Sequence, residues 1–203
     1  MTVISRRIIA PSLGKSDAAL GLAKQLVEQA QQAGVKTRLC KVIMGVDAGQ
    51  LEMFARFENF QAGTTGFLKM AGSAPVASAR AQLESGAVDS ISGPYVYRTV
   101  FGEPTQQPVM VQRQYQVSRA NLQAAIALLP EARAVFGPDT GMTATIPVFA
   151  PEMDHLVITY YLNSLEDLGK TLDENAMSPA FQAVVVKAAQ YGTLMSARVL
   201  VVV

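Results

Sequence analysis

The chain contains very few cysteine, histidine and tryptophan residues, and this scarcity excludes several kinds of functional site. Its 203 residues include one cysteine, one histidine and no tryptophan. Cys40 therefore has no partner for an intramolecular disulfide, which is typical of a reducing compartment, and we interpret it as a small buried apolar residue. A zinc site needs a cluster of His, Cys or carboxylate ligands, and no His/Cys cluster exists in the sequence. We therefore predict no metal site.

Charge and long apolar runs are also scarce. The net charge is +1 and only 16% of the residues are charged, so the chain lacks the basic footprint of a nucleic-acid-binding protein. It has no cluster of Lys and Arg that would favour a membrane surface, and no apolar run near the roughly 20 residues that span a bilayer. The first basic pair, Arg6 and Arg7, follows apolar residues, which is the reverse of a secretory signal. We predict a cytoplasmic protein without nucleic-acid or membrane partners.

The order of predicted elements occurs twice along the chain. Residues 3–101 are predicted to form a strand, a helix, two strands, a long broken helix and a strand, and residues 110–203 repeat that order. Half of the residues are apolar, which is ample for a packed core. The predicted strands cover residues 3–10, 35–44, 51–58, 88–101, 109–117, 142–150, 155–162 and 194–203.

Local sequence similarity also supports a duplication. The segment 110–113 (MVQR) resembles 3–6 (VISR), and Asn163 and Pro179 repeat the spacing of Asn59 and Pro75. Between the halves lies a segment with two prolines and no large apolar residue, which is typical of a linker. We therefore divide the chain into a first repeat at 1–103, a linker at 104–108 and a second repeat at 109–203.

Each βαββαβ half is expected to form a four-stranded antiparallel sheet with both helices on one face. The other face of each sheet stays open, and two such sheets placed face to face would bury both. This layout resembles the dimeric α+β barrel superfamily, which includes uncharacterised NIPSNAP-like proteins, with the two protomers fused in one chain. We predict an α+β fold in which two tandem ferredoxin-like repeats form an intramolecular pseudo-dimer.

The resemblance also implies kinds of activity. Members of the superfamily include cofactor-free monooxygenases, muconolactone isomerases, haem-degrading monooxygenases and chlorite-dismutase-like proteins. Some related haem proteins use a single axial histidine, but no haem-ligand pattern surrounds His155. We therefore predict no cofactor and expect a small-molecule ligand.

The strand 155–162 supplies the first candidate site residues. Leu156, Ile158 and Tyr160 form an apolar face that we expect to pack against helices, so His155 and Tyr161 would face the barrel interior. Histidine is the side chain best suited to proton transfer near neutral pH. A hydrogen-bonded histidine at a strand end is the structural alternative.

The strand 51–58 shows the same alternation in the first half of the chain. Its apolar face is uniform, so Glu52, Phe54, Arg56 and Glu58 would face the barrel interior. The structural interpretation is that Arg56 pairs with the two glutamates beside it. The alternative is that Arg56 and Phe54 contact a ligand.

Arg6 and Arg113 occupy matching positions on the first strand of each half. A charged residue on an otherwise apolar strand face must be paired or must serve a ligand. If these faces line the barrel, the two guanidinium groups, with Tyr115 beside Arg113, would bind a carboxylate or enolate. Alternatively, each arginine pairs with an acidic residue at the barrel seam. The opposite face of the second-half strand, with Gln112, Gln114 and Gln116, is unusually polar. One of the two faces of this strand must therefore be in contact with water.

Two functions remain open because a fold alone does not imply a function. The first is a cofactor-independent monooxygenase or isomerase that acts on an aromatic or polyketide-like substrate. Its catalytic residues would be His155 and Tyr161, and its ligand-binding residues would be Arg6, Arg113, Tyr115, Arg56 and Phe54. The second is a non-catalytic ligand-binding or stress-associated interaction protein, for which a homodimer is one expected assembly. His155 has no counterpart in the first half, so we predict at most one competent site, built mainly by the second half.

Overall fold

Eight antiparallel strands close into one barrel in the computed structural model of the chain, which describes residues 1–137 and 140–203. The strands are β1 Val3–Pro11, β2 Lys36–Gly45, β3 Leu51–Phe57, β4 Val88–Phe101, β5 Val109–Val117, β6 Gly141–Phe149, β7 His155–Leu162 and β8 Gly192–Val202. Their order around the barrel is β4-β1-β3-β2-β8-β5-β7-β6, and β6 pairs with β4 to close it. The strands of the first half thus follow the order 4-1-3-2, and those of the second half follow the corresponding order 8-5-7-6.

The helices lie between the strands at the predicted places. They are α1 Ser16–Gln32, α2 Phe60–Ala71, α3 Ala74–Glu84, α4 Leu122–Ala127, α5 Leu129–Val135, α6 Leu165–Thr171 and α7 Pro179–Ala188, with a short π-helix at Leu172–Ala176 between α6 and α7. The predicted breaks near Pro75 and Pro179 are confirmed, because each proline lies in the first turn of a new helix, where its missing N–H does no harm.

Side chains at the helix starts fix where the helices begin. Asn59 accepts a hydrogen bond from the amide of Ala62 at the start of α2, and Ser164 accepts one from the amide of Asp167 at the start of α6. Ser178 caps α7 in the same way through the amide of Phe181. Each cap satisfies a backbone donor that the first helical turn leaves unpaired.

Two apolar clusters join the helices to the outside of the barrel, and a third fills part of its interior. The first-half cluster contains Leu26 of α1, Leu83 of α3 and Leu51 of β3. The second-half cluster is built on β5, β6 and β7. The interior cluster contains Cys40, Val42, Met110, Tyr161 and Leu200. Burial of each large apolar side chain contributes roughly 1.5–3 kcal/mol to stability.

The mixed α+β class is therefore confirmed, with an eight-stranded antiparallel sheet and helices packed on its outside. Within the described ranges, no helix combines the length and apolarity that a bilayer crossing demands. The predicted position of Cys40 is also confirmed, because the thiol is fully buried and burial raises its pKa to about 12. It is therefore a neutral core residue at physiological pH.

Candidate functional site

A cavity of about 600 Å³ lies inside the barrel, and all eight strands contribute to its wall. It extends to the end of the barrel where the turn between α1 and β2 and residues 104–106 also line it. Its apolar and aromatic wall is formed by Ile4, Phe54, Tyr97, Met110, Val157 and Tyr161. The volume falls within the range of roughly 300–1,000 Å³ that is usual for small-molecule sites.

Strand alternation explains which side chains reach the cavity. On β7, Val157, Thr159 and Tyr161 line it, while Leu156 and Ile158 belong to the outer apolar cluster. On β3, Phe54 and Arg56 line it, while Leu51 and Met53 pack outward against helices. Phe54, Arg56 and Tyr161 therefore lie on the faces predicted for these two strands. On β5 the glutamine-rich face, which was expected to lie opposite the barrel-lining face, is the one that reaches the cavity, because Gln112 and Gln114 line it.

A buried group of charges lies between the two halves of the barrel wall. Glu52 has no exposed surface, and Arg6 donates to it through Nε at 2.8 Å and through Nη2 at 2.6 Å. Arg198 donates to the same carboxylate at 2.6 Å and 3.3 Å. Gln112 Oε1 accepts two further bonds from Arg198, at 3.1 Å and 2.6 Å. One carboxylate therefore fixes two guanidinium groups, both of which line the cavity.

Burial and charge act on the two arginines in different ways. Burial alone lowers the pKa of Arg6, but the charge and hydrogen bonds of Glu52 outweigh it, so that pKa is raised. The pKa of Arg198 is lowered, mainly by burial and also by the nearby charge of Arg6. Both groups stay protonated at neutral pH because the ordinary arginine pKa exceeds about 12. Burial also raises the pKa of Tyr97, which lies beside Arg6.

Two more arginines hold the linker at one end of the cavity through hydrogen bonds. Arg38 donates to the carbonyl oxygens of Thr105 and Gln107 at 3.0 Å and 3.2 Å. Arg56 donates to the carbonyl oxygen of Pro104 at 3.1 Å and to Glu103 at 3.0 Å. The segment that joins the two halves is therefore also part of the cavity wall.

Four of the predicted site residues meet at this cavity. Arg6, Phe54, Arg56 and Tyr161 all line it. Tyr161 is buried, its hydroxyl lies 3.1 Å from Oγ1 of Thr143, and burial raises its pKa. This tyrosine therefore stays a neutral hydrogen-bonding group at physiological pH.

His155 lies at the start of β7, and its side chain is not part of the cavity wall. The amide Nε2 of Gln114 donates to Nδ1 of His155 at 2.8 Å, and Gln114 does line the cavity. The histidine is therefore linked to the cavity through Gln114. Since it is the single histidine of the chain, a histidine-ligated haem does not fit this cavity.

Arg113 and Tyr115 lie on the other face of β5, so the prediction that they line the barrel is wrong. Arg113 pairs in register with Ile158, a residue of the outer cluster, and its guanidinium lies 5.7 Å from the ring centre of Phe181 in α7. Tyr115 also packs against the outer cluster. Residues on one strand face differ by two positions, so the cavity takes Gln112 and Gln114 and leaves Arg113 and Tyr115 outside.

Sequence reasoning missed the partners of the buried charges. The expected pairing of Arg56 with Glu52 and Glu58 is wrong, since Arg56 pairs with Glu103, while Glu52 binds Arg6 and Arg198. Arg198 could have been found, because it is the single charged residue of β8. Like Arg6, Arg198 is a charge on an apolar strand, which must be paired or must serve a ligand.

The cavity wall thus contains positively charged, hydroxyl and amide side chains among apolar ones. Within residues 1–137 and 140–203, no three His, Cys, Asp or Glu side chains are grouped to hold a metal ion. The wall can therefore bind and orient an organic ligand and stabilise negative charge on it.

Comparison with known proteins supports the fold. No family model and no curated protein sequence matches the chain, but solved structures are similar to it. A candidate monooxygenase from Fusobacterium nucleatum has a TM-score of 0.68 at 8% identity, covering 99% of this chain and 92% of that one. An anthrone oxidase-like protein has a TM-score of 0.63 at 12% identity, covering 100% and 91%.

A variant of chlorite dismutase from Candidatus Nitrospira defluvii is similar as well. Its TM-score is 0.60 at 9% identity, covering 100% of this chain and 91% of that one. These neighbours belong to the dimeric α+β barrel superfamily. At such identities the similarity establishes a shared fold and nothing about activity.

Proposed function

We propose that the chain binds a small aromatic or polyketide-like molecule in the barrel cavity and acts on it as a cofactor-independent monooxygenase or isomerase. The observation that carries the proposal is the cavity of about 600 Å³, whose apolar and aromatic wall is interrupted by a few polar side chains. Structural neighbours named as a candidate monooxygenase and as anthrone oxidase-like add support at the level of fold.

The proposed oxygenation needs no cofactor if the substrate supplies the electrons. A methylene group activated by neighbouring aryl and carbonyl groups loses a proton to water to give an enolate, which reacts with dioxygen. The overall change is CH₂ + O₂ → C=O + H₂O, in which the carbon loses four electrons and dioxygen accepts them. An isomerase would form the same enolate and return the proton at another carbon. In both reactions, fixed donors that stabilise the enolate oxygen lower the barrier.

Tyr161 and His155 have different roles in this proposal. Tyr161, whose pKa burial raises, donates a hydrogen bond to the substrate oxygen. His155 acts as a positioning residue, because it holds the side chain of Gln114 at the cavity wall. Arg56 and Phe54 contact the part of the ligand nearest the linker.

A second candidate, a ligand-binding protein without catalysis, is favoured by a specific observation. Of the described residues that line the cavity, none is a histidine, an aspartate or a glutamate. The wall therefore lacks a side chain that readily removes a proton near neutral pH. A catalysed oxygenation here requires a substrate that is already ionised, whereas a binding protein requires none.

We also infer that the barrel arose from two tandem repeats, at 1–103 and 109–203, joined by the linker 104–108. The matching strand orders of the two halves support this. So does the last helix of each half, because α3 and α7 each follow a serine, Ser73 or Ser178, and have a proline in the first turn. The cavity draws side chains from both halves, so one chain carries one shared site. A cytoplasmic location and a homodimer remain predictions.

The proposed activity can be tested with 1,8-dihydroxyanthrone, an aromatic compound with an acidic methylene group. We expect oxygen uptake in equimolar ratio to the anthrone lost, faster than autoxidation without protein, with the anthraquinone followed by absorbance. The variant Tyr161→Phe should lower kcat by about a hundredfold, as loss of one preorganised donor does. The matched control Tyr115→Phe removes a hydroxyl outside the barrel and should leave kcat unchanged. Saturable binding without oxygen uptake would favour the binding protein, and no binding would contradict both candidates.

A further inference from the structure

The buried charges that line the cavity do not balance. Arg6 and Arg198 carry two positive charges and share the single negative charge of Glu52, with side-chain exposures of 14%, 8% and 0%. Asp47 lies 3.5 Å from Arg198 but is 38% exposed, so solvent screens much of its charge. A buried charge without a counter-charge is unfavourable. This part of the cavity wall therefore favours an incoming anion.

Hydrogen bonding shows which arginine is available to that anion. Every N–H of Arg198 faces an acceptor, because Nε, Nη1 and Nη2 are shared among Gln112, Glu52 and Asp47. Arg6 donates to Glu52 only through its Nε–H and one N–H of Nη2. A guanidinium has five N–H groups, so the Nη1 edge of Arg6 keeps donors beyond those that Glu52 uses.

Tyr97 lies near Arg6 in the cavity wall, because it pairs in register with Ile4, which is on the same face of β1 as Arg6. Its hydroxyl interacts with Arg6, and both side chains line the cavity. The bidentate pairing with Glu52 fixes the guanidinium plane, so these donors are held in place before a ligand arrives. A fixed edge of N–H and O–H donors matches the geometry of a carboxylate or an enolate oxygen.

The rest of the wall has the same sign of charge. Lys36, Arg38 and Arg56 line the cavity at the end near the linker, and the described lining residues include no acidic side chain. A cleft lined by one sign of charge raises the local concentration of the opposite ion. The entrance and the buried edge of Arg6 thus favour the same class of ligand.

We propose that Arg6 and Tyr97 form an oxyanion subsite, and that the ligand is an aromatic molecule with one ionised oxygen group, a carboxylate, phenolate or enolate. The subsite rests on the proposed function, since it assumes that the cavity binds an aromatic frame. Glu52 is its positioning residue, because it orients Arg6 without facing the ligand. An ionised ligand also removes the need for a general base in the wall.

The test compares two fluorescent probes of the same shape, 9-anthracenecarboxylate and its neutral amide, 9-anthracenecarboxamide, by titration at physiological ionic strength. The wild-type protein should bind the carboxylate roughly tenfold or more tightly than the amide, as expected for hydrogen bonds to a charged group. Arg6→Gln should abolish this preference. Arg113→Gln makes the same chemical change outside the barrel and should preserve it.

A second variant keeps the test valid if Arg6→Gln does not fold. Tyr97→Phe leaves the pairing of Arg6 with Glu52 intact and should lower the carboxylate preference by roughly threefold to tenfold, as loss of one such donor does. Equal affinity of the wild-type protein for both probes would overturn the oxyanion subsite while leaving the proposed binding of an aromatic ligand in place. No binding of either probe would overturn both. An equal loss of preference in Arg113→Gln would also overturn the assignment to Arg6.

Discussion

At the scale of single residues, Glu52 links the two halves of the barrel. Its carboxylate binds Arg6 on β1 and Arg198 on β8, and it has no exposed surface. Glu52→Gln leaves two buried guanidinium groups facing one neutral amide, so we expect the free energy of unfolding to fall by about 3–5 kcal/mol. Urea denaturation measures this change.

The matched control for Glu52 is an exposed ion pair on a helix. Glu84 pairs with Arg80 on α3, and both side chains are about half exposed. Glu84→Gln should lower the free energy of unfolding by less than about 1 kcal/mol, because solvent screens such pairs. A loss of similar small size in Glu52→Gln would contradict the view that the buried cluster stabilises the barrel.

Residue patterns predicted the faces of β3 and β7 but not the faces of β1 and β5 relative to each other. Strong alternation of apolar and polar side chains identifies a strand face directly. The local similarity that matched Arg6 with Arg113 differs by one residue from the strand register. Arg6 pairs with Phe54, which lines the cavity. Arg113 pairs with Ile158, which belongs to the outer cluster. A shift of one residue turns every side chain to the opposite face, so sequence similarity alone could not settle this position.

At the scale of elements, a glycine lies at each seam where the halves meet. Gly45 ends β2 at the seam with β8, and Gly102 follows β4 at the seam with β6. Both have positive φ, and a Cβ at Gly102 would collide with the carbonyl oxygen of Met142. Gly102→Ala should therefore strain the backbone and also push the seam apart.

The control for Gly102 separates strain from collision. Gly14 has a similar φ, +73° against +64°, but no atom lies within 4 Å of a Cβ added there. Gly14→Ala should destabilise the protein by roughly 1–2 kcal/mol through the left-handed backbone alone, and Gly102→Ala by about 1–3 kcal/mol more. Thermal unfolding of both variants checks the difference. Equal losses would mean that the seam adapts to the extra carbon.

Element order was predictable because caps, prolines and apolar spacing act over a few residues. The strands at 88–101, 109–117 and 155–162 have the predicted bounds. The π-helix at Leu172–Ala176 was not predicted, since no local residue signal distinguishes it from an α-helix. The binding of Glu52 by Arg198 was not predictable either, because it joins residues 146 positions apart, and only the closure of the barrel brings them together.

At the scale of the whole molecule, the linker lies beside both ends of the described chain. Thr2 donates to Glu103 at 2.6 Å, just before the linker, and the amide of Val202 donates to the carbonyl oxygen of Pro108 at 2.9 Å, at its end. A connection about as long as the one between 103 and 108 would therefore span the gap between residues 202 and 2. This is the arrangement expected if the two halves are related by a twofold axis.

A circular permutant tests this view of the molecule. Joining residue 203 to residue 1 by a peptide about as long as the linker, and opening the chain between Thr105 and Gln106, should leave every strand pair intact. Loop-closure entropy changes little between connections of similar length, so we expect the near-UV circular dichroism to be unchanged and unfolding to remain cooperative. The control is a permutant opened between Phe54 and Ala55, in a strand paired on both sides, which should not form the native barrel. The first permutant differs from the natural chain only in its covalent connections and keeps every strand pair. Loss of cooperative unfolding in it would therefore contradict the view that a 203-to-1 connection can replace the linker.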